Sequence, residues 1–122
     1  MSLPESDVVR LRHMLDASEQ ALRFCAGRIR TDLDGDVMLR FALVHAITVV
    51  GEAAAKISTQ TREALPEIAW GSIVGMRNRL VPAYFDIDSD VLWESVNAGL
   101  PPLAAQLSAA LQPKPAEPEP NR

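Results

Sequence analysis

The stretch on which the fold turns is Val37-Met-Leu-Arg-Phe-Ala-Leu-Val-His-Ala-Ile-Thr-Val-Val-Gly-Glu-Ala-Ala-Ala-Lys-Ile-Ser-Thr59. It is apolar almost all round. Its polar members His45, Thr48, Glu52 and Lys56 recur at spacings of three, four and four, a line along one side of a helix. A helix clothed in apolar side chains is covered on nearly every side, by its own domain or by another subunit. Inserting it in a bilayer would cost about 2.5 to 3.5 kcal/mol for each central Arg or Lys. With Arg40 and Lys56 in the run, it reads as a buried helix of a soluble protein with no membrane role. Few other long helices are available to cover it, which predicts a strong homodimer.

Working outward, 122 residues suffice for one hydrophobic core. The chain is 48% hydrophobic but only 5% aromatic, and 17 Ala and 14 Leu carry the apolar share. Those are helix formers, so the expected class is all-α, a bundle of about five helices. Val8, Leu11, Leu15, Ser18, Leu22, Cys25 and Ile29 mark the stripe of a first helix. Thr31 to Asp36 forms a loop with a capping carboxylate ahead of the second, which runs about Val37 to Thr59. Leu65 to Ile68 opens a further element with Pro66 in a first turn, and Trp70 to Val81 continues as a helix on which Ile73, Arg77 and Leu80 share a face. Val91, Leu92, Trp93 and Val96 give a short helix closed by Gly99, and Pro101-Pro102 opens a last one bearing Leu103, Leu107 and Leu111. From Gln112 the sequence alternates proline with charge. The expected division is a helical domain over 1–111 and a disordered Pro-rich tail over 112–122.

Several functional classes are disfavoured. The net charge is −4, and the tail is neutral, so the excess acid lies on the folded part and argues against a broad nucleic-acid-binding face. A local basic site stays open. Cys25 has no second cysteine to pair with and reads as a packed thiol; His13 and His45 are too far apart in sequence for metal-ligand spacing. No metal or cofactor is expected. The start Met-Ser-Leu-Pro-Glu-Ser-Asp lacks a signal-peptide pattern, and a reduced, cytoplasmic setting fits.

Chemistry concentrates between Gly75 and Asp88, where Arg77, Asn78, Arg79 and Tyr84 crowd into a short segment. The arginine fork suits phosphate oxygens. Gly51 and Ala53 to Ala55 would let a neighbouring helix approach closely, leaving Glu52 as a largely buried carboxylate in need of an arginine partner such as Arg77. That pair has a structural and an orienting reading, while His45 reads as a packed histidine rather than a base.

The pieces Gly51-Glu52-Ala53-Ala54, Pro66-Glu67-Ile68-Ala69-Trp70, Gly75-Met76-Arg77-Asn78-Arg79-Leu80-Val81 and Tyr84-Phe85-Asp86-Ile87-Asp88 resemble, in order and spacing, the HepT-like toxins of the HEPN superfamily. The resemblance runs from about Val8 to Leu111. It implies a dimeric helical bundle, encoded beside an MNT-type minimal nucleotidyltransferase antitoxin, with a metal-independent ribonuclease site at the subunit interface. The family motif is Arg, four to six residues, His, one residue and Tyr. Arg77, Asn78 and Tyr84 match it, with Arg77 and Arg79 available to RNA phosphates, but Pro82 stands at the His position. In such RNases the histidine exchanges a proton with the ribose 2′-hydroxyl, a contribution of roughly 10²–10⁴-fold, while the arginine stabilises the phosphorane.

The expectation is therefore an RNase scaffold impaired at Pro82. A proline there is also expected to end or kink the helix near Leu80. Three histories account for Pro82: a natural variant that has shed activity, a detoxified cloned form, and a site rebuilt around another base such as His45. The resemblance further implies that Tyr84 accepts AMP groups placed by the partner nucleotidyltransferase, against a plain packing role. The alternative function is a non-catalytic dimeric module that binds the nucleotidyltransferase or RNA without cleaving it.

Overall fold

Glu5 and Asp7 at the start of the first helix and Arg23 in its last turn complement the helix dipole, and α1 runs Glu5–Cys25 in the computed structural model, which describes residues 2–80 and 86–112. Its buried line is Asp7, Leu11, Met14, Ser18, Ala21 and Cys25. Val8, Leu15 and Leu22, expected at the centre of the stripe, are only half-buried, and Ile29 is exposed. Ile29 leaves the stripe because the chain turns first, at Gly27, whose φ of 74° lies in the left-handed region that suits glycine.

A one-turn helix, α2 (Asp32–Gly35), occupies the expected loop. The Asp36 carboxylate then accepts the Leu39 amide at 2.9 Å and caps α3 (Val37–Ala55), as expected of a carboxylate there. Arg40 reaches back to the carbonyls of Leu33 and Asp34, and Arg30 ties Asp34 at 2.9 Å and Asp90 at 2.7 Å, fastening α2 to the later helices.

The chain leaves α3 earlier than the apolar pattern suggests. Ser58 accepts the Thr61 amide and starts α4 (Thr59–Ala64), a helix not anticipated. Ser58 and Thr61 also donate their hydroxyls to Asp7, each at 2.5 Å, and the Ser58 amide donates to it at 3.2 Å. Asp7 is only 2% exposed. Burial pushes its pKa up, but those hydrogen bonds and the nearby Arg10 charge outweigh it and hold the carboxyl below its ordinary range. The corner binding α1 to the α3–α4 junction is thus polar and internally satisfied.

Pro66 does not open a helix: Leu65 is the C-cap of α4, and the chain turns through Pro66 and Glu67 before α5 (Trp70–Val74) and α6 (Met76–Leu80), which are separated at Gly75. The Trp70 indole N–H donates to the Leu65 carbonyl at 3.2 Å, and Arg62 lies over its ring. Helix α7 (Ser89–Glu94), capped by Asp88, passes through a π-turn at Ser95–Gly99 into α8 (Leu100–Leu111). Gly99 therefore does not close a helix. Pro101 and Pro102 lack the N–H groups that Asn97 and Ala98 carbonyls would receive, and the wider turn absorbs the misfit.

The class is all-α, with no strand among the described residues. Helices α1, α3 and α8 enclose the core, in which Leu11, Met14, Leu33, Leu43, Ile47, Leu80, Leu92, Leu100 and Leu107 are fully buried. Cys25 is a packed thiol, its pKa raised by burial. α3 is long and apolar enough to cross a membrane by length and composition, yet here it is the central helix of the bundle. It is not covered on every side: Val37, Met38, Phe41, His45, Glu52 and Lys56 are exposed, with Met38 at 83% and Phe41 at 63%. The expected tail beyond Gln112 lies outside the described residues.

Candidate functional site

Gly51 sets the site. It is buried on α3, and a side-chain carbon added to it would stand 3.4 Å from the Ile73 carbonyl and 3.6 Å from that of Val74. The close neighbour anticipated at this small-residue stretch is thus α5 of the same chain. α6 follows α5 after Gly75 and carries Arg77 and Asn78 to the edge of an open cleft of about 410 Å³, whose α3 wall is Thr48, Gly51, Glu52 and Ala55. Sequence elements separated by some twenty-five positions meet here.

Arg77, Asn78 and Glu52 share that cleft, but Glu52 is not buried and is not the counter-ion of Arg77. All three are exposed, and no ion pair links Glu52 with Arg77 among the described residues. The exposure of Glu52 has a simple source. The small side chains around Glu52 admit α5 on the Gly51 side, while Glu52, one position on, points about 100° away around the helix.

Arg79 is not in the cleft. It folds back to donate to the Ser72 carbonyl at 3.0 Å and lines a separate hollow with Glu94 and Ser95. Residues two apart on a helix do not face the same way, so Arg77 and Arg79 diverge. His45 is exposed rather than packed, one turn before Thr48 on the same side of α3, and does not line the cleft. Pro82 and Tyr84 lie outside the described residues; the segment that holds them is bracketed by the Asp88 amide, which donates to the Leu80 carbonyl at 2.7 Å. No His, Cys, Asp or Glu cluster among the described residues could hold a metal ion.

Chemically, the cleft offers one arginine fork, an amide beside it and a carboxylate, none of them in an ion pair among the described residues, while the Thr48 hydroxyl on its wall already donates to the Val44 carbonyl at 2.8 Å. The arginine fork and the amide are donors of the kind that suits phosphate oxygens.

An all-helical chain with an arginine-bearing cleft beside α3 is a scaffold that can serve many activities, and comparison with known proteins narrows them. The family described as "Ribonuclease HepT-like" matches residues 14–110, and the chain belongs to that family. It is 29% identical over 97 residues to "Putative RNase MJ1380" of Methanocaldococcus jannaschii, covering 80% of this chain and 89% of the relative. It is likewise 29% identical over 102 residues to "Putative RNase TTE0752" of Caldanaerobacter subterraneus subsp. tengcongensis, covering 84% and 91%. A "Probable ribonuclease HepT" of Thermococcus cleftensis is 37% identical over 68 residues, 56% of this chain and 62% of the relative. No solved structure matches.

Proposed function

We propose that this chain is the toxin-type component of a pair with an MNT-type nucleotidyltransferase, a cytoplasmic, dimeric, metal-independent RNase scaffold that binds RNA but cleaves it poorly. The observation that carries the reading is the pairing of Arg77 and Asn78 on α6 with the polar side of α3 in one open cleft, no cation of which is used for internal ion pairing among the described residues. Arg77 stabilises charge on a phosphoryl group. The proton-transfer residue belongs at position 82, where this chain has proline, and proline has no group to give or take a proton. Tyr84, two residues on, is the proposed acceptor of AMP from the nucleotidyltransferase.

The dimer forms through the amino-terminal half of α3. Val37, Met38 and Phe41 are large, apolar and exposed there, whereas the carboxyl-terminal half presents Thr48, Glu52 and Lys56 and stays open as the site. Sedimentation at micromolar concentration should give twice the 13.3 kDa chain mass, and Phe41→Asp should return the monomer. A wild-type monomer across that range removes the dimer. For the site, single-stranded RNA should be bound and recovered intact, and Arg77→Gln should abolish most of that binding without changing the helical circular dichroism. Full binding by Arg77→Gln would instead favour a module that contacts only a protein partner.

A further inference from the structure

On the other side of α3 the bundle opens a second cleft, of about 520 Å³, where Ser6, Arg10 and His13 of α1 face Glu52 of α3 and Lys56, the residue that ends it. Its cations are almost uncommitted. Arg10 has a single ionic contact, Asp7 at 4.0 Å, and that carboxylate is already taken up by Ser58 and Thr61. His13 and Lys56 make no side-chain hydrogen bond or ion pair among the described residues, although Lys56 stands four residues after Glu52, the spacing at which such pairs usually form. Glu52 lines both clefts. The two therefore meet at one carboxylate, with Arg77 and Asn78 on one side of it and Arg10, His13 and Lys56 on the other.

A ligand matching this order carries anionic groups at two places and hydrogen-bond donors between them. A single-stranded nucleic acid has that pattern: phosphates recur along the strand, and base amines lie between for a carboxylate to accept. Among the described residues no Phe, Tyr or Trp lines either cleft and the one ring is the His13 imidazole, so the strand is held chiefly by its backbone rather than by stacking. We infer that the α1–α3 cleft is a second phosphate subsite, in which Arg10 and Lys56 hold the backbone of an RNA strand that crosses α3 at Glu52 and reaches Arg77 on the far side. This rests on reading the α3–α6 cleft as an RNA site.

The test is fluorescence anisotropy with a labelled single-stranded 2′-O-methyl RNA, which 2′-hydroxyl chemistry cannot cleave, titrated over a range of salt. Each lost phosphate contact should flatten the slope of log affinity against log salt by about 0.7. Lys56→Gln should lose that much, Lys56→Arg should restore it, and Arg10→Gln with Lys56→Gln should lose about 1.4, with roughly tenfold weaker binding at low salt. Lys56 holds nothing else together among the described residues, so its variant tests binding rather than folding. Arg12→Gln, an exposed charge on α1 outside the cleft, should change nothing. An equal loss on Arg12→Gln would mean diffuse attraction and overturn the subsite. So would displacement of the strand by inorganic phosphate beyond its ionic-strength effect, which would assign the cleft to a small anion. Weak binding by Arg77→Gln together with unchanged binding by Lys56→Gln would overturn the subsite alone, whereas unchanged binding by Arg77→Gln would overturn the RNA reading beneath it.

Discussion

Asp7 on α1 and Glu52 on α3 are both carboxylates on packed helices, and their surroundings are opposite. Asp7 is 2% exposed and receives two hydroxyls and an amide, whereas Glu52 is exposed on the ridge between two clefts and has no partner among the described residues. The difference separates structure from function in this fold. At the buried Asp7 carboxylate the chain supplies hydrogen bonds from Ser58 and Thr61, and the result is a fixed corner between α1, α3 and α4. Where charges stand around an open cleft with no ion pair among the described residues, the fold gains little from them, and the proposed site is built of them.

Substitutions on the two sides should therefore diverge. Asp7→Ala should have the largest effect, a loss of about 3 kcal/mol in urea unfolding, because the buried Thr61 hydroxyl, the half-buried Ser58 hydroxyl and the Ser58 amide lose their acceptor. The same corner has a pH signature. The folded Asp7 pKa lies below the model-compound value of 3.8, so its stabilising contribution is complete above that value and disappears as pH falls through the lower folded pKa. The stability gap between wild type and Asp7→Asn should thus be flat from neutrality down to about pH 4 and narrow below it. A gap that narrows between pH 7 and 5 would mean the carboxylate is not held as described.

Gly51→Val should cost about 2 kcal/mol, since its first carbon already stands in contact with the Ile73 and Val74 carbonyls and the two methyls beyond it crowd α5, and it should also weaken RNA binding by shifting α6. A variant that loses neither would uncouple Gly51 from the site. Smallest of all, Glu52→Ala should shift stability by no more than about 0.5 kcal/mol, as expected for an exposed side chain. A loss of several kcal/mol at Glu52 would restore the buried ion pair that the sequence suggested and would erase the contrast with Asp7.

Much of the fold was legible because it rests on periodicity and capping. The apolar run from Val37, the Asp36 cap, the Pro101-Pro102 start and the packed Cys25 all follow from local rules. What was not legible depended on distant partners. Asp7 looks like an ordinary charge in a first turn, and nothing local announces that Ser58 and Thr61, some fifty residues later, will surround it. Helix α4 was hidden because the apolar pattern runs on through Ile57, while Ser58 starts a new helix only by capping it. At the site, the resemblance pointed to Arg77 and Asn78, while Glu52 was drawn to Arg77 as a buried counter-ion; the three line one cleft without that ion pair among the described residues. The divergence of Arg79 was implicit in its two-residue offset from Arg77, whereas the exposure of Glu52 required knowing that α5 approaches at Gly51 instead.

The central claim is that the chain keeps an RNase's binding surface and lacks its proton-transfer residue, and Pro82→His tests it most directly. Initial rates of RNA cleavage should be measured at saturating substrate in the presence of a chelator, beside wild type and Pro82→Ala. The account predicts that Pro82→His gains roughly 10²–10⁴-fold and yields 2′,3′-cyclic phosphate ends, that Pro82→Ala does not, and that adding Arg77→Ala to the His variant removes the gain. A Pro82→His protein that binds RNA to saturation and leaves it intact would contradict the account.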